Sequence, residues 1–460
     1  MAYQSTNPYD GKVLQTFEQL TDEQLDTALD VAATCFEAWR HTTFAERATV
    51  VAKAAAIMHA QVDEFARRAT VEMGKLIDEA RGEVVLSADI IDYYAKNAER
   101  FLAPQTLAPS SGEAVVESSP LGVLFGVQPW NFPYYQLVRF AAPNLMAGNV
   151  VMVKHSESVP QCAIAFEKLW IEAGAPPGAY TNLLISYEQA SRVIDDPRIM
   201  GVALTGSGDA GKVIAARAGQ NLKKTTMELG GSDAFIVLED ADLDKTVKWA
   251  VWGKMNNAGQ SCVAAKRFIV VEELADRFLS KFGAALAALQ PGDPMEKTTT
   301  LAPMSSESAL VKLLGQVTQA VAKGATVVAG GKRIDRPGSF MEPTILTNIK
   351  SDNPAFREEF FGPVALFFRV KNEDEAVALA NDSDYGLGGS VFTADIARGK
   401  SVASRVDTGM MFINHPTGST PDLPFGGIKN SGYGRELSAM GIQEFVNKKL
   451  VRVASIDASA

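Results

Sequence analysis

A cysteine in an unusual setting is the first candidate for chemistry. Cys262 ends the polar run Asn-Asn-Ala-Gly-Gln-Ser-Cys, where a buried structural thiol would be out of place. A thiol that forms covalent intermediates needs a positioned base or a group that stabilises developing charge. Glu228, in Met-Glu-Leu-Gly-Gly, offers a carboxylate, and Asn131, in Pro-Trp-Asn-Phe-Pro, offers an amide. The three residues predict nucleophilic catalysis, although Asn131 also suits a plain turn.

The run Gly-Ser-Gly-Asp-Ala-Gly at residues 206–211 matches a phosphate-binding turn. It follows an apolar strand run and opens a helical run, so its glycines would admit a pyrophosphate at a helix N-terminus. Gly206 and Ser207 are therefore candidate cofactor residues, and a plain glycine turn is the alternative. The acidic residue expected about twenty positions further on would be Glu228, for which the catalytic role competes.

Two other loops offer contacts to a cofactor. Lys154 and Glu157 lie at the end of a strand run, where open α/β sheets bind ligands. Both side chains could reach a ribose, but a solvated loop is an equally good interpretation. Glu359 and Phe361 would place a carboxylate on a ribose and an aromatic ring against a cofactor, or they form only a loop before the next strand.

Composition bounds the class of protein. The chain has 460 residues, enough for two or more domains, and is 47% hydrophobic and 21% charged, as soluble globular proteins are. Its net charge of -10 argues against nucleic acid as the main partner. Three scattered cysteines and four scattered histidines suggest neither a disulfide framework nor a metal site. Since neither a secretory signal nor a bilayer-spanning run is visible, we expect a cytoplasmic protein without a membrane partner.

Periodicity predicts the elements that position these residues. Thr21 and Gln24 form a capping-box pattern before a helix. From about residue 122, apolar strand runs alternate with helical stretches, as in parallel α/β sheets, and a second alternation spans about residues 233–413. Residues 105–119 and 448–453 alternate like exposed strands, which often pair with another subunit. The first strand runs cover residues 123–127, 150–153, 183–185, 202–204, 235–238 and 268–271.

Together these residues resemble the aldehyde dehydrogenase superfamily over nearly the whole chain. The motifs around Asn131, Glu228 and Cys262 are the most specific, and weaker matches lie at residues 173–178, 385–387 and 424–427. The resemblance implies an α/β fold with two Rossmann-type lobes and a small β oligomerisation element, in a homodimer or homotetramer. It also implies the following division: residues 1–101 and 121–230 for NAD binding, 231–430 for catalysis, and 102–120 and 446–456 as oligomerisation strands.

The resemblance implies a mechanism. Cys262 would attack an aldehyde, Asn131 and the Cys262 backbone N–H would hold the oxyanion, and Glu228 would activate water against a thioester. A Glu157 carboxylate at the ribose would repel a 2′-phosphate, so we expect NAD to be preferred and NADP to be used more weakly. The implied cofactor-binding residues are Trp130, Lys154, Glu157, Gly206, Ser207, Leu229, Glu359 and Phe361.

Within the family the chain is most similar to succinate-semialdehyde dehydrogenases. Arg139 matches an arginine that holds the substrate carboxylate there, and Gln136 on the same helical face would add a hydrogen bond. Ser419 and Thr420 would close the pocket. Some such enzymes carry a second arginine where this chain has Asn256. A salt-bridged structural role is the alternative for Arg139.

Other functions remain open at this point. A medium-chain or betaine-type aldehyde is the main rival substrate. A catalytically silent structural relative would be expected to lack Cys262 or Glu228, and both are present. A coenzyme-A-dependent acylating relative usually lacks the glutamate base, and a cysteine protease would need a histidine in a recognisable partner motif.

Overall fold

A computed structural model describes residues 3–456 of the chain. Its strands are β1 (Tyr3–Thr6), β2 (Val13–Phe17), β3 (Gln105–Leu107), β4 (Glu113–Pro120), β5 (Val123–Gln128), β6 (Val150–His155), β7 (Tyr180–Asn182), β8 (Ile199–Thr205), β9 (Lys224–Glu228), β10 (Asp233–Val237), β11 (Ala265–Val271), β12 (Thr326–Ala329), β13 (Thr344–Thr347), β14 (Val364–Val370), β15 (Tyr385–Gly386), β16 (Gly389–Phe392), β17 (Phe412–Ile413), β18 (Ile428–Lys429), β19 (Gly432–Tyr433) and β20 (Val446–Val453). Its helices are α1 (Asp22–Trp39), α2 (Phe44–Ala60), α3 (Val62–Met73), α4 (Ile77–Phe101), α5 (Tyr135–Ala147), α6 (Pro160–Ala173), α7 (Tyr187–Asp195), α8 (Gly208–Gln220), α9 (Leu243–Met255), α10 (Glu272–Ala287), α11 (Glu307–Ala322), α12 (Glu373–Asn381), α13 (Ile396–Arg405) and α14 (Ser438–Gly441), with 3-10 turns at Asn256–Gly259 and Pro354–Phe356.

The first lobe is built on a six-stranded sheet in the order β19-β9-β8-β5-β6-β7. Strands β5 to β9 are parallel, and β19 joins the edge antiparallel to β9. These strands are mostly apolar and buried, as expected for a parallel sheet covered by helices on both faces. The order reverses between β5 and β8, and the carboxyl ends at such a reversal form a ligand-binding crevice.

The second lobe is built on a seven-stranded sheet in the order β12-β13-β14-β11-β10-β16-β17. Its neighbouring strands are parallel except for β12 and β13. Residues 229–232 connect β9 of the first lobe to β10 of the second. Glu228 therefore lies where the chain leaves the first sheet.

A smaller antiparallel sheet has the strand order β20-β4-β3. Leu450 and Val453 on β20 are 59% and 60% exposed, although both are large and apolar. The expected α/β fold with two lobes and a small β element is confirmed.

Most predicted elements are present, and one strand prediction is wrong. Thr21 caps α1 in a reciprocal capping box with Gln24, as predicted. Residues 183–185 follow β7 as irregular chain, because the Ile185 N–H donates to the Tyr3 hydroxyl instead of to a sheet neighbour. Burial of Leu183 and Ile185 explains the apolar run without a strand. No helix within residues 3–456 combines the length and apolarity needed to cross a membrane.

Candidate active site

Cys262 follows α9 and a strained turn of the second lobe. Asn257 and Ala258 adopt left-handed φ values of 56° and 53°, a conformation that costs free energy in residues other than glycine. Lys266 secures the segment, because its Nζ donates to the carbonyl oxygens of Ser261 and Cys262, each at 2.8 Å. Burial raises the pKa of the Cys262 thiol to about 12, against the opposing charges of Arg139 and Lys266. A thiol with a raised pKa needs a base before it can attack as a thiolate.

Glu228 is the last residue of β9 and is only 3% exposed. Among the described residues, neither of its carboxylate oxygens has a hydrogen-bond partner. Burial, reinforced by the charge of Glu436, raises the pKa of Glu228 well above its usual range. An unpaired carboxyl with a raised pKa suits proton transfer near neutral pH, as a general base requires.

Asn131 lies in the loop between β5 and α5 and is 4% exposed. Its Nδ2 donates to the carbonyl oxygen of Gln260 at 3.1 Å, two residues before Cys262. Asn257 ties the same two segments together, because its Nδ2 donates to the Asn131 carbonyl at 2.7 Å and to the Gln260 carbonyl at 3.2 Å. The amide and the nucleophile segment are thus held against each other.

Arg139, on the inner face of α5, is 1% exposed and ion-paired. Its Nε lies 2.8 Å from Oε2 of Glu436. Its Nη2 donates to Oε1 of Gln136 at 2.5 Å, and its Nη1 donates to the Tyr135 hydroxyl at 3.3 Å. The guanidinium also lies over the rings of Tyr135 and Phe425, 4.6 Å and 4.5 Å from their centroids. The ion pair that sequence analysis gave as an alternative is therefore present.

The other predicted substrate residues, Ser419, Thr420 and Gln136, differ in their contacts. The Tyr135 hydroxyl donates to the Oγ of Ser419 at 2.7 Å, which joins Ser419 to Arg139 through one intervening ring. Thr420 is exposed, and its carbonyl accepts the Leu423 N–H at 3.4 Å. Gln136 is 1% exposed and bonded at both ends of its amide. The structure thus brings Ser419 into the network and leaves Thr420 outside it.

The candidate cofactor residues lie at the carboxyl ends of neighbouring strands. Ser207 caps α8, with its Oγ accepting the Ala210 N–H at 3.3 Å. A Cβ at Gly208 would meet nothing within 4 Å, whereas one at Gly211 would meet Leu229 at 2.7 Å. The turn therefore has an open helix N-terminus and close packing beneath, which fits a bound pyrophosphate.

Lys154 lies near the end of β6, and Glu157 lies just beyond it. Lys154 Nζ is 3.6 Å from Oε1 of Glu157 and 4.8 Å from the centroid of the Tyr187 ring. The side chain of Lys154 is 3% exposed and that of Glu157 is 29% exposed. The two charges therefore partly neutralise each other at the mouth of the crevice.

Five further candidates lie in loops of the two lobes. The rings of Trp130 and Phe361 make an edge-on contact with centroids 5.8 Å apart. Glu359 Oε1 accepts the Gly231 N–H at 2.9 Å and lies 3.3 Å from Lys266 Nζ. The Leu229 N–H donates to the Ser431 carbonyl at 3.0 Å. Gly206 follows β8, and its N–H donates to the Glu228 carbonyl at 2.9 Å.

Sequence reasoning missed several residues of this site. Tyr135 and Glu436 complete the surroundings of Arg139, and Lys266 holds the nucleophile segment. Lys266 could have been found from the sequence, because it lies only four residues after Cys262. Glu79 accepts the Asn257 N–H, and Glu83 accepts the Tyr134 and Tyr135 N–H groups. Neither role was visible in the sequence, because acidic residues on a long helix usually face solvent.

The class of protein follows from comparison with known families. The model of the aldehyde dehydrogenase family matches residues 1–451. The chain therefore belongs to the aldehyde dehydrogenase family.

Individual relatives show which members of the family this chain is similar to. The chain is 52% identical, over 98% of its length and 94% of the relative, to the succinate-semialdehyde dehydrogenase [NADP(+)] of Deinococcus radiodurans. It is 46% identical, over 99% of its length and 100% of the relative, to a probable succinate-semialdehyde dehydrogenase [NADP(+)] of Synechocystis. It is also similar to the crystal structure of succinic semialdehyde dehydrogenase from Streptococcus pyogenes in complex with NADP+ as the cofactor. That match has a TM-score of 0.97 and 47% identity, and it covers 99% of this chain and 100% of the other.

Proposed function

We propose that this protein oxidises succinate semialdehyde to succinate with a nicotinamide dinucleotide. The observation that carries the proposal is the convergence of Cys262, Asn131 and Glu228 beside the buried guanidinium of Arg139. The names of relatives at 46% and 52% identity support the substrate. Free thiols at all three cysteines support a cytoplasmic location.

The residues divide the chemistry into two steps. The Cys262 sulfur, once deprotonated, bonds to the aldehyde carbon, and the carbonyl electron pair moves to oxygen. Asn131 Nδ2 and the Cys262 backbone N–H stabilise that oxyanion, and loss of one such donor raises the barrier by about 2.7–4 kcal/mol. The dinucleotide, when bound, would supply the hydride acceptor. As the oxyanion re-forms the C=O bond, the C–H bond breaks with loss of hydride, and a thioester remains on Cys262. Glu228 then takes a proton from water as water attacks the thioester, and the thiolate leaves.

The Arg139, Tyr135 and Ser419 side chains are the proposed site for the distal carboxylate of the substrate. Nη1 of Arg139 makes only a long 3.3 Å bond to Tyr135, so this donor and the Tyr135 and Ser419 hydroxyls are the groups most readily redirected to a ligand. Glu436 occupies Nε, which keeps the buried guanidinium charge paired when substrate is absent.

A comparison of succinate semialdehyde with butanal, an uncharged aldehyde of equal chain length, tests the substrate. We expect kcat/KM to be higher for succinate semialdehyde. Tyr135→Phe and Ser419→Ala should each lower kcat/KM for succinate semialdehyde roughly tenfold or more, because each removes one hydrogen bond to a charged group. Equal kcat/KM for the two aldehydes in the wild type would exclude the proposal, and Thr420→Ala serves as the control outside the network.

For the cofactor we propose NADP. The expected preference for NAD over NADP finds no support in the relatives, whose names specify NADP(+). The Lys154–Glu157 pair gives a physical reason. An ammonium 3.6 Å from the Glu157 carboxylate offsets its repulsion of a 2′-phosphate and can itself contact that phosphate.

The kcat/KM values for NADP and NAD decide the cofactor. We expect NADP to give the higher value and Glu157→Gln to raise it further, because the remaining repulsion is removed. Lys154→Met should lower the NADP value more than the NAD value. A wild-type enzyme with the higher kcat/KM for NAD would contradict this assignment. That result would support the expectation that the Glu157 carboxylate repels a 2′-phosphate.

A further inference from the structure

Gln136 lies between an obligate hydrogen-bond donor and the amide of Asn131. Its Oε1 accepts from Arg139 Nη2 at 2.5 Å, and its Nε2 donates to Asn131 Oδ1 at 3.2 Å. At 1% exposure, both ends of the Gln136 amide are closed to solvent. The side chain is therefore committed to its two protein partners.

This arrangement fixes which way each amide faces. An arginine can donate hydrogen bonds but cannot accept them, so the oxygen of Gln136 must face Arg139. The Gln136 nitrogen then faces Asn131, and a nitrogen that donates there requires the oxygen of Asn131 on the near side. The Asn131 nitrogen is left pointing the other way, towards the carbonyl of Gln260.

The direction of the Asn131 amide decides what it does to an oxyanion. With its nitrogen beside the nucleophile segment, one N–H bonds the Gln260 carbonyl and the second is free for the charge that develops near Cys262. A reversed amide would present oxygen lone pairs to a negative charge, and that contact raises the barrier instead of lowering it.

We propose that Gln136 is a positioning residue. Because its oxygen must accept from Arg139, its nitrogen donates to the Asn131 oxygen, and this contact holds the Asn131 N–H towards the oxyanion. Glu436 anchors the far side of Arg139 at 2.8 Å. The inference rests on the oxyanion role of Asn131 in the proposed function. It replaces the expectation that Gln136 contacts the substrate carboxylate.

A double-mutant cycle tests this inference. Gln136→Met keeps the side-chain length but removes both hydrogen bonds, and kcat should fall roughly ten- to a hundredfold with little change in KM. If Gln136 acts only through Asn131, adding Gln136→Met to Asn131→Ala should cost no further activity. If the losses of kcat in the two single variants multiply in the double variant, the inference is overturned. A rise in KM for succinate semialdehyde alone, with kcat unchanged, would also overturn it, because Gln136 would then contact the substrate carboxylate.

Gln136→Glu gives a second, opposite change. A carboxylate still accepts from Arg139 but cannot donate to Asn131, so it draws the Asn131 nitrogen away from the oxyanion. We expect this variant to be slower than Gln136→Met at equal thermal stability. A faster Gln136→Glu would contradict the polarity argument.

Two controls separate the outcomes. Gln128→Met replaces another buried glutamine, whose side-chain amide has no hydrogen-bond partner among the described residues, and should leave kcat unchanged. Hydrolysis of p-nitrophenyl acetate uses the nucleophile and the oxyanion site without hydride transfer. The cycle should give the same result with this ester, so a failure to oxidise succinate semialdehyde would overturn only the proposed substrate.

Discussion

At the residue scale, the unpaired carboxylate of Glu228 is the proposed base for the second half of the reaction. Both oxygens are buried without a partner within residues 3–456, which leaves them available to a water molecule. Glu228→Gln keeps the shape but cannot take a proton. We expect a burst of one reduced cofactor per active site, followed by turnover slowed by roughly 10²–10⁴. Stopped-flow absorbance measures both phases, and a missing burst would show that Glu228 acts before thioester formation.

The same residues set the pH dependence. In the proposed mechanism Cys262 and Glu228 must both lose a proton to act, and burial raises both pKa values. Activity should therefore increase with rising pH over the alkaline range, above the pH at which an ordinary carboxyl group has lost its proton. The profile of kcat/KM in Glu228→Gln should keep only the rise due to the thiol. A profile that declines across this range would contradict the assignment of either group.

At the element scale, α4 supports the site from outside the two catalytic loops. Glu83 accepts the backbone N–H groups of Tyr134 and Tyr135, at 2.8 Å and 3.1 Å, where α5 begins. Glu79 accepts the Asn257 N–H at 3.1 Å, in the strained turn before the nucleophile. One helix thus fixes both the oxyanion loop and the nucleophile segment.

Glu79 gives a stability prediction because burial raises its pKa from 4.5 to about 7. Between these pH values the folded protein binds more protons at this site than the unfolded chain, so its contribution to stability is lost as pH rises. Glu79→Gln keeps an acceptor for Asn257 and removes the charge. We expect the variant to be more stable than the wild type at about pH 8 by about 2–3 kcal/mol, with little difference near pH 4.

Denaturant unfolding at several pH values measures this difference. Glu99→Gln, at an exposed position of the same helix, is the matched control and should shift stability little. If the Glu79 variant followed the wild-type pH dependence, the carboxyl would not titrate in the folded state as described.

Sequence and structure agree best where a motif follows a strand. Asn131 and Ser207 could be placed together because each follows a parallel strand, and parallel strands end at one edge of a sheet. The pairing of Arg139 with Glu436 could not be predicted, because it joins residues far apart in the chain. Glu79 and Glu83 were hidden for the same reason, since only tertiary packing distinguishes a buried acid on α4 from a solvated one.

At the scale of the whole molecule, the β20-β4-β3 sheet is the proposed contact between subunits. Its apolar Leu450 and Val453 are exposed, and a lone edge of this kind commonly pairs with a second chain. Leu450→Lys combined with Val453→Lys should lower the mass measured by light scattering towards that of one chain. Val311→Lys, at an exposed site on α11, is the control. An unchanged mass in the double variant would place the contact elsewhere.

The three free cysteines also have a practical consequence. Cys35 and Cys162 are 7% and 0% exposed inside the first lobe, whereas Cys262 is only partly buried at the crevice. Because Cys35 and Cys162 are buried away from solvent, electrophiles should reach only Cys262 while the protein stays folded. A slow alkylating reagent should therefore add a single label per chain and count functional molecules directly in a preparation.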